Sequence, residues 1–179
     1  MLEFLGRIGL HRDHAAFLAE CASRSTDRRE RSRLHLDAAR TWRDGAHDSD
    51  AALGALDAAI LADPANDEAR ALRLELLRES SRRARLADAL VEEADVARDA
   101  KRSAALLGEA ASLLLPRESE PKDALETQAC VRALGLARRA AEFEPSEPEP
   151  LRIVVACARR LGRRRDEVRS EVARLVELE

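Results

Sequence analysis

Aromatic side chains are nearly absent from this sequence, which contains no Tyr, one Trp and three Phe among its 179 residues. β-Strands draw on aromatic and β-branched residues, and surfaces that bind single-stranded nucleic acid offer aromatic rings on which bases stack. The net charge of −3 also lacks the basic excess that is typical of nucleic-acid-binding proteins. We therefore expect neither a β-sheet nor a nucleic-acid interface.

Glycine and cysteine are scarce as well, with seven and three residues. The chain has no GxGxxG or Walker loop to hold a phosphate and no GxSxG motif, so we expect no cofactor and no enzymatic activity. Cys21, Cys130 and Cys157 lie far apart without a CxxC motif, which predicts reduced, buried thiols in a cytoplasmic protein. The sequence shows no signal peptide and no apolar run of membrane-spanning length, so no membrane association is expected.

Ala, Leu, Arg and Glu dominate the rest of the chain, and this mixture favours helix. The segment from Asp48 to Pro64 is representative. It has acidic residues at its start, Ala52, Leu56 and Ala59 at helical spacing, and an Asp-Pro pair at its end. Variants of it follow one another through short connections, which favour antiparallel neighbours. The sequence thus predicts an all-α fold of about nine helices.

Capping residues predict where the helices begin and end. The expected N-caps are Asp27, either Asp48 or Ser49, Asn66 and Asp99. Ser146 and Glu149 have the spacing of a capping box, and Gly45 and Gly162 suit helix C-termini. Gly9 predicts a turn between a short N-terminal helix and a helix over residues 11–23. The Pro-bounded stretch 116–123 predicts a polar loop.

Two long segments of the chain resemble each other. Residues 17–42 align with residues 89–114, at an offset of 72 positions that becomes 71 after a one-residue gap. Residues from Leu56 then align with residues from Leu136, after an insertion that falls in the polar loop. Half of this period is about one helix-turn-helix unit, and such a period is typical of a helical solenoid.

The spacing of Ala52, Leu56, Ala59 and Pro64 resembles the second helix and closing proline of the tetratricopeptide-repeat family. The unit from Pro148 is similar to that family's first-helix pattern. The resemblance covers roughly residues 12–179 and implies a right-handed solenoid of α-hairpins, with residues 1–179 as a single domain. A generic stack of α-hairpins fits the same pattern, and the chain can also be a piece of a longer solenoid.

The resemblance implies a concave groove that binds a protein partner. If the family's register holds, the groove is lined by four arginines and two leucines: Arg40, Arg43, Leu107, Leu114, Arg152 and Arg159. A mixed basic and apolar groove suits an extended acidic peptide or a partner helix. The alternative for the arginines is ion pairing with the Asp and Glu residues that alternate with them.

Three functions follow, from different classes. The first is a protein-interaction scaffold, and the second is a regulatory or self-assembling segment that forms a homo-oligomer through its solenoid ends. The third is an enzyme or metal-binding domain, for which His11 and His14 on one helical face are two of the three or four ligands that a metal needs. Clusters of arginine, such as those at residues 28–33, 82–85 and 159–165, are interpreted as solvated helix faces with ion pairs.

Overall fold

The computed structural model describes residues 2–115, 124–162 and 165–178, and these form nine α-helices with no strand among them. The helices are α1 (Leu2–Arg24), α2 (Arg28–Arg40), α3 (Ser49–Ala62), α4 (Asp67–Glu79), α5 (Arg83–Val96), α6 (Ala100–Leu114), α7 (Ala124–Phe143), α8 (Pro148–Arg160) and α9 (Arg169–Leu178). A π-helical turn, Thr41–Gly45, continues α2, and a 3-10 turn, Arg165–Val168, precedes α9. The all-α prediction is confirmed for this part of the chain, while the predicted loop at 116–123 lies outside it.

The contacts of the chain group into two compact units, Met1–Glu79 and Ser80–Glu179, where the sequence predicts a single domain. Within each unit, successive helices pack against one another: α1 to α4 in the first unit and α5 to α9 in the second. Both cores consist mainly of Ala and Leu. Small Ala side chains allow neighbouring helices to approach closely, so each hairpin buries its apolar stripe against its chain neighbours.

The internal repeat is visible in equivalent buried positions of the two units. Ser32 on α2 and Ser103 on α6, 71 residues apart, are both buried, and each hydroxyl donates a hydrogen bond to a backbone carbonyl of an adjacent helix. Ala59 on α3 and Ala140 on α7 are 81 residues apart, and both are fully buried. The spacing therefore changes between α6 and α7, where the sequence predicts the insertion.

The predicted N-caps are confirmed, and of the two candidates for α3 the cap is Asp48 and not Ser49. The carboxylate of Asp27 accepts hydrogen bonds from the backbone N–H groups of Arg29 and Glu30, at 2.7 and 3.1 Å. These bonds favour the ionised form and lower the pKa of Asp27 below its usual range. Asp48, Asn66 and Asp99 accept equivalent bonds at the starts of α3, α4 and α6. Local capping chemistry thus sets these helix starts.

Two predicted helix ends are wrong. No turn occurs at Gly9, because α1 runs without interruption from Leu2 to Arg24. A helical Gly costs only about 1 kcal/mol relative to Ala, which does not by itself end a helix. The predicted capping box at Ser146 does not form either. The N-cap of α8 is Glu147, which places Pro148 at the first helical position, where its missing N–H is tolerated.

Gly45 serves close packing instead of the predicted helix C-cap. It ends the π-helical turn, and the residue with a left-handed backbone is His47, with φ of 53°. A Cβ atom added at Gly45 would lie 2.5 Å from Cγ and 2.9 Å from Cβ of His11. The turn therefore approaches α1 so closely that only hydrogen fits at this position.

We expect Gly45→Ala to destabilise the first unit by about 1–3 kcal/mol, since the added methyl group overlaps the root of the His11 side chain. The measurement is the free energy of unfolding in urea, compared with the same substitution in a His11→Ala background. Removing the imidazole takes away the closest contacts and should relieve part of the loss, while the Cβ at position 11 stays. An equal loss in both backgrounds would show that the contact with the imidazole is not its cause.

Candidate binding cleft

Two of the predicted groove arginines lie in the first unit and are held by its own carboxylates. Arg40 pairs with Glu68 of α4 and lies 3.5 Å from Asp37 on its own helix. Arg43, in the π-helical turn, donates from Nε to Asp44 at 2.6 Å. That hydrogen bond lowers the pKa of Asp44 and raises the pKa of Arg43. Both guanidinium groups therefore already have anionic partners.

The other four predicted groove residues lie in the second unit. Leu107 is fully buried on α6, so it contributes to the core and offers a partner no surface. Leu114 is half-buried at the end of α6. Arg152 and Arg159 are exposed on α8, and Arg152 lies 3.4 Å from Glu149 of the same helix.

Arginines in two of the clusters donate hydrogen bonds to carbonyls at helix C-termini. The prediction of solvated faces with ion pairs did not include this role. Arg28 donates to the carbonyl of Ala62, the last residue of α3, at 3.2 Å. Arg83 donates to the carbonyl of Leu115 just after α6, at 3.3 Å. Carbonyls in the last turn of a helix lack backbone partners and carry partial negative charge, so guanidinium donors stabilise them. Sequence reasoning misses this role because donor and carbonyl are more than 30 residues apart.

Cys130 and Cys157 are buried in the second unit as predicted, while Cys21 is half-buried. Burial raises the pKa of Cys157 to about 12. A thiol with so high a pKa stays protonated at neutral pH and is a poor nucleophile. Across the described ranges, no group of three or more His, Cys, Asp or Glu residues is arranged to hold a metal ion. No helix in these ranges is both long enough and apolar enough to cross a membrane.

An open cleft of about 340 Å³ lies in the second unit beside α6, and its lining is mostly apolar. It is called the α6 cleft below. One side is a face of α6, and the other is the connection from α7 to α8 with the first turn of α8. The residues that line it are Lys101, Ala104, Ala105, Gly108, Glu109 and Ser112 on the α6 side, and Glu144, Glu147, Glu149 and Pro150 on the α8 side.

The α6 cleft is open because the side chains on that face of α6 are small. Ala104, Gly108 and Ser112 follow one another at intervals of one helical turn, and a Cβ added at Gly108 would have no atom within 4 Å. At the equivalent positions α2 carries larger residues, with Arg33 in place of Ala104 and Asp37 in place of Gly108. The aligned faces of α2 and α6 thus differ in side-chain volume.

The α8 side of the cleft is acidic. Glu144 and Glu147 come from the connection and Glu149 from the first turn of α8, while Lys101 is the basic residue among the described residues of the lining. The side chain of Glu147 makes no hydrogen bond with its helix, although the residue is the N-cap. Carboxylates with an apolar floor between them favour a ligand that is partly apolar and partly cationic.

Sequence reasoning missed the α6 cleft, although two of its signals are visible in the sequence. One is the spacing of Ala104, Gly108 and Ser112, and the other is the concentration of Glu and Pro at residues 144–150. Neither signal predicts a cleft alone, because the cavity depends on how α6 packs against α8. Comparison of the chain with protein-family models, curated proteins and solved structures found no match in any of the three.

Proposed function

We propose that this protein is an interaction module of stacked α-hairpins, in the manner of a tetratricopeptide-repeat solenoid, and that a segment of a partner polypeptide binds in the α6 cleft. The observation that carries the proposal is the open, mostly apolar surface on α6 around Gly108. Small residues at one-turn intervals let the backbone of a bound segment approach the helix closely. Side chains of the segment then bury apolar surface between α6 and α8.

The α6 cleft is a different surface from the arginine-lined groove that the repeat resemblance implies. Arg40, Arg43 and Arg152 each have a carboxylate partner within the protein, and a bound acidic peptide would have to compete with it. Exposed ion pairs contribute little to stability, so breaking one costs little free energy. The new pair with the peptide only replaces the broken one, so the number of charge pairs does not increase. The α6 cleft offers unfilled apolar surface, which is the larger source of binding free energy.

The test is a selection of random 12-residue peptides displayed on phage against the immobilised protein. We expect enriched peptides to lose at least about tenfold in affinity for Gly108→Leu, because the new side chain fills the cleft. Gly135→Leu is the matched control, since Gly135 is an exposed helical glycine of the second unit and, like the half-buried Gly108, has no atom near its missing Cβ. Failure to enrich any peptide, or equal binding to both variants, would contradict the proposal.

Self-association is the second candidate function. Val172 and Val176, one turn apart on α9, are 37% and 70% exposed, and Leu10 and Phe17 on α1 are 69% and 62% exposed. Apolar side chains exposed on one helix face are typical of surfaces that bind another chain. Light scattering on the purified protein tests this: a concentration-dependent dimer that Val172→Glu with Val176→Glu dissolves would favour it, and a monomer at all concentrations would exclude it.

A further inference from the structure

The α6 cleft also indicates the chemistry of its ligand, and this inference rests on the proposed function. The described residues that line it include four glutamates and one lysine. Glu149 forms its ion pair with Arg152, an exposed contact along its own helix at 3.4 Å, and has no basic partner on α6. An excess of negative charge beside apolar surface attracts cationic groups and repels anionic ones.

The first unit shows how such a carboxylate is neutralised elsewhere in the same fold. There, Glu68 in the first turn of α4 is paired with Arg40 of α2. By the repeat, Glu68 corresponds to Glu149 and Arg40 corresponds to Ala111, which is fully buried. The second unit thus keeps the carboxylate at the start of α8, but its guanidinium partner is Arg152 of the same helix and not a residue of the preceding hairpin.

An anionic ligand is disfavoured at the same place for a separate reason. The start of a helix ordinarily binds anions through its free backbone N–H groups. In α8, Pro148 and Pro150 remove two of these donors, and the N-cap is the acidic residue Glu147. The helix start therefore offers an anion few donors and repels it with a negative charge.

We infer that the α6 cleft binds a basic segment of a partner polypeptide, in which a Lys or Arg side chain pairs with the carboxylate of Glu147, next to Glu149. Small or apolar residues next to that side chain contact Ala105 and Gly108. The ligand is a segment of polypeptide because the apolar floor adds contact area that a bare amine would not use. This reverses the acidic peptide expected from the repeat resemblance.

The test uses two fluorescent peptide pools of equal length, one built from Ala, Gly, Leu and Lys, the other from Ala, Gly, Leu and Glu. We expect the protein to retain the Lys pool and not the Glu pool, and retention to weaken at 0.5 M salt because the charges are exposed. Glu147→Gln with Glu149→Gln should reduce retention by about tenfold or more. Glu142→Gln with Glu177→Gln, two exposed acids outside the α6 cleft, makes the same change of net charge and should have little effect.

Each other outcome identifies which idea fails. Retention of the Glu pool, or equal retention by the two double variants, overturns the basic-segment inference. Peptides that depend on Gly108 but carry no basic residue overturn it while leaving the proposed function standing. If no peptide binds in a way that depends on Gly108, both the inference and the proposed function are overturned. Spermidine that binds as tightly as the best Lys peptide, and competes with it, shows a free polyamine as the ligand and overturns the assignment to a polypeptide.

Discussion

Ala59→Glu is expected to unfold the first unit. Ala59 is fully buried on α3, and its carbonyl oxygen accepts a hydrogen bond from the Ser32 hydroxyl at 2.8 Å. A glutamate at this position would carry its carboxylate into a core of Ala and Leu side chains without a cation to pair it. Burial of an unpaired charge is among the few mechanisms that cost more than about 4 kcal/mol, a large part of the 5–15 kcal/mol that stabilises a typical domain.

The measurement is thermal unfolding followed by circular dichroism, with limited proteolysis to locate the loss. Leu61→Glu is the control, because Leu61 lies on the same helix and is 84% exposed. It should leave the melting curve close to that of the unchanged protein. Ala140→Glu makes the matched change at the equivalent, fully buried position of α7 and should open the second unit. A soluble Ala59→Glu protein with an unchanged melting temperature would show that α3 packs through another face.

The sequence predicts well those features that depend on neighbouring residues. Asp27, Asn66 and Asp99 begin helices because a short polar side chain reaches the N–H groups two or three positions ahead. Pro64 follows the end of α3 for an equally local reason, since the residue before a proline is pushed out of the helical conformation. The buried face of α3 follows from the helical spacing of Ala52, Leu56 and Ala59.

Features that depend on which helices meet were not predictable in the same way. Gly9 has the local character of a helix end, yet α1 continues through it and buries Ala15 and Ala22. Leu107 was expected in a groove because a family register was applied to α6, while in the structure it is buried. The α6 cleft is defined by residues some 40 positions apart, and the repeat alone cannot show that the small side chains of α6 stand against the acidic start of α8.

Replacing Arg160 with Met is expected to cost the second unit about 3–5 kcal/mol. The guanidinium of Arg160, at the end of α8, donates to the carboxylate of Glu126 in the first turn of α7, and their side chains are only 16% and 6% exposed. A carboxylate that is only 6% exposed destabilises the fold when it loses a cation that pairs with it. Met fills a similar volume, so the loss comes from the charge of Glu126 that remains and not from a cavity.

The measurement is the urea concentration at the midpoint of unfolding. The slope of the free energy of unfolding against urea concentration should stay unchanged. Arg159→Met is the matched control, because the neighbouring Arg159 is exposed and its replacement should change stability by less than about 0.5 kcal/mol. Glu126→Leu with Arg160→Met removes both charges and should recover most of the loss, as buried ion pairs can be replaced by apolar residues at little cost. If the double variant is no more stable than Arg160→Met alone, the stranded carboxylate is not the cause. The pair would then act by joining the end of α8 to the start of α7.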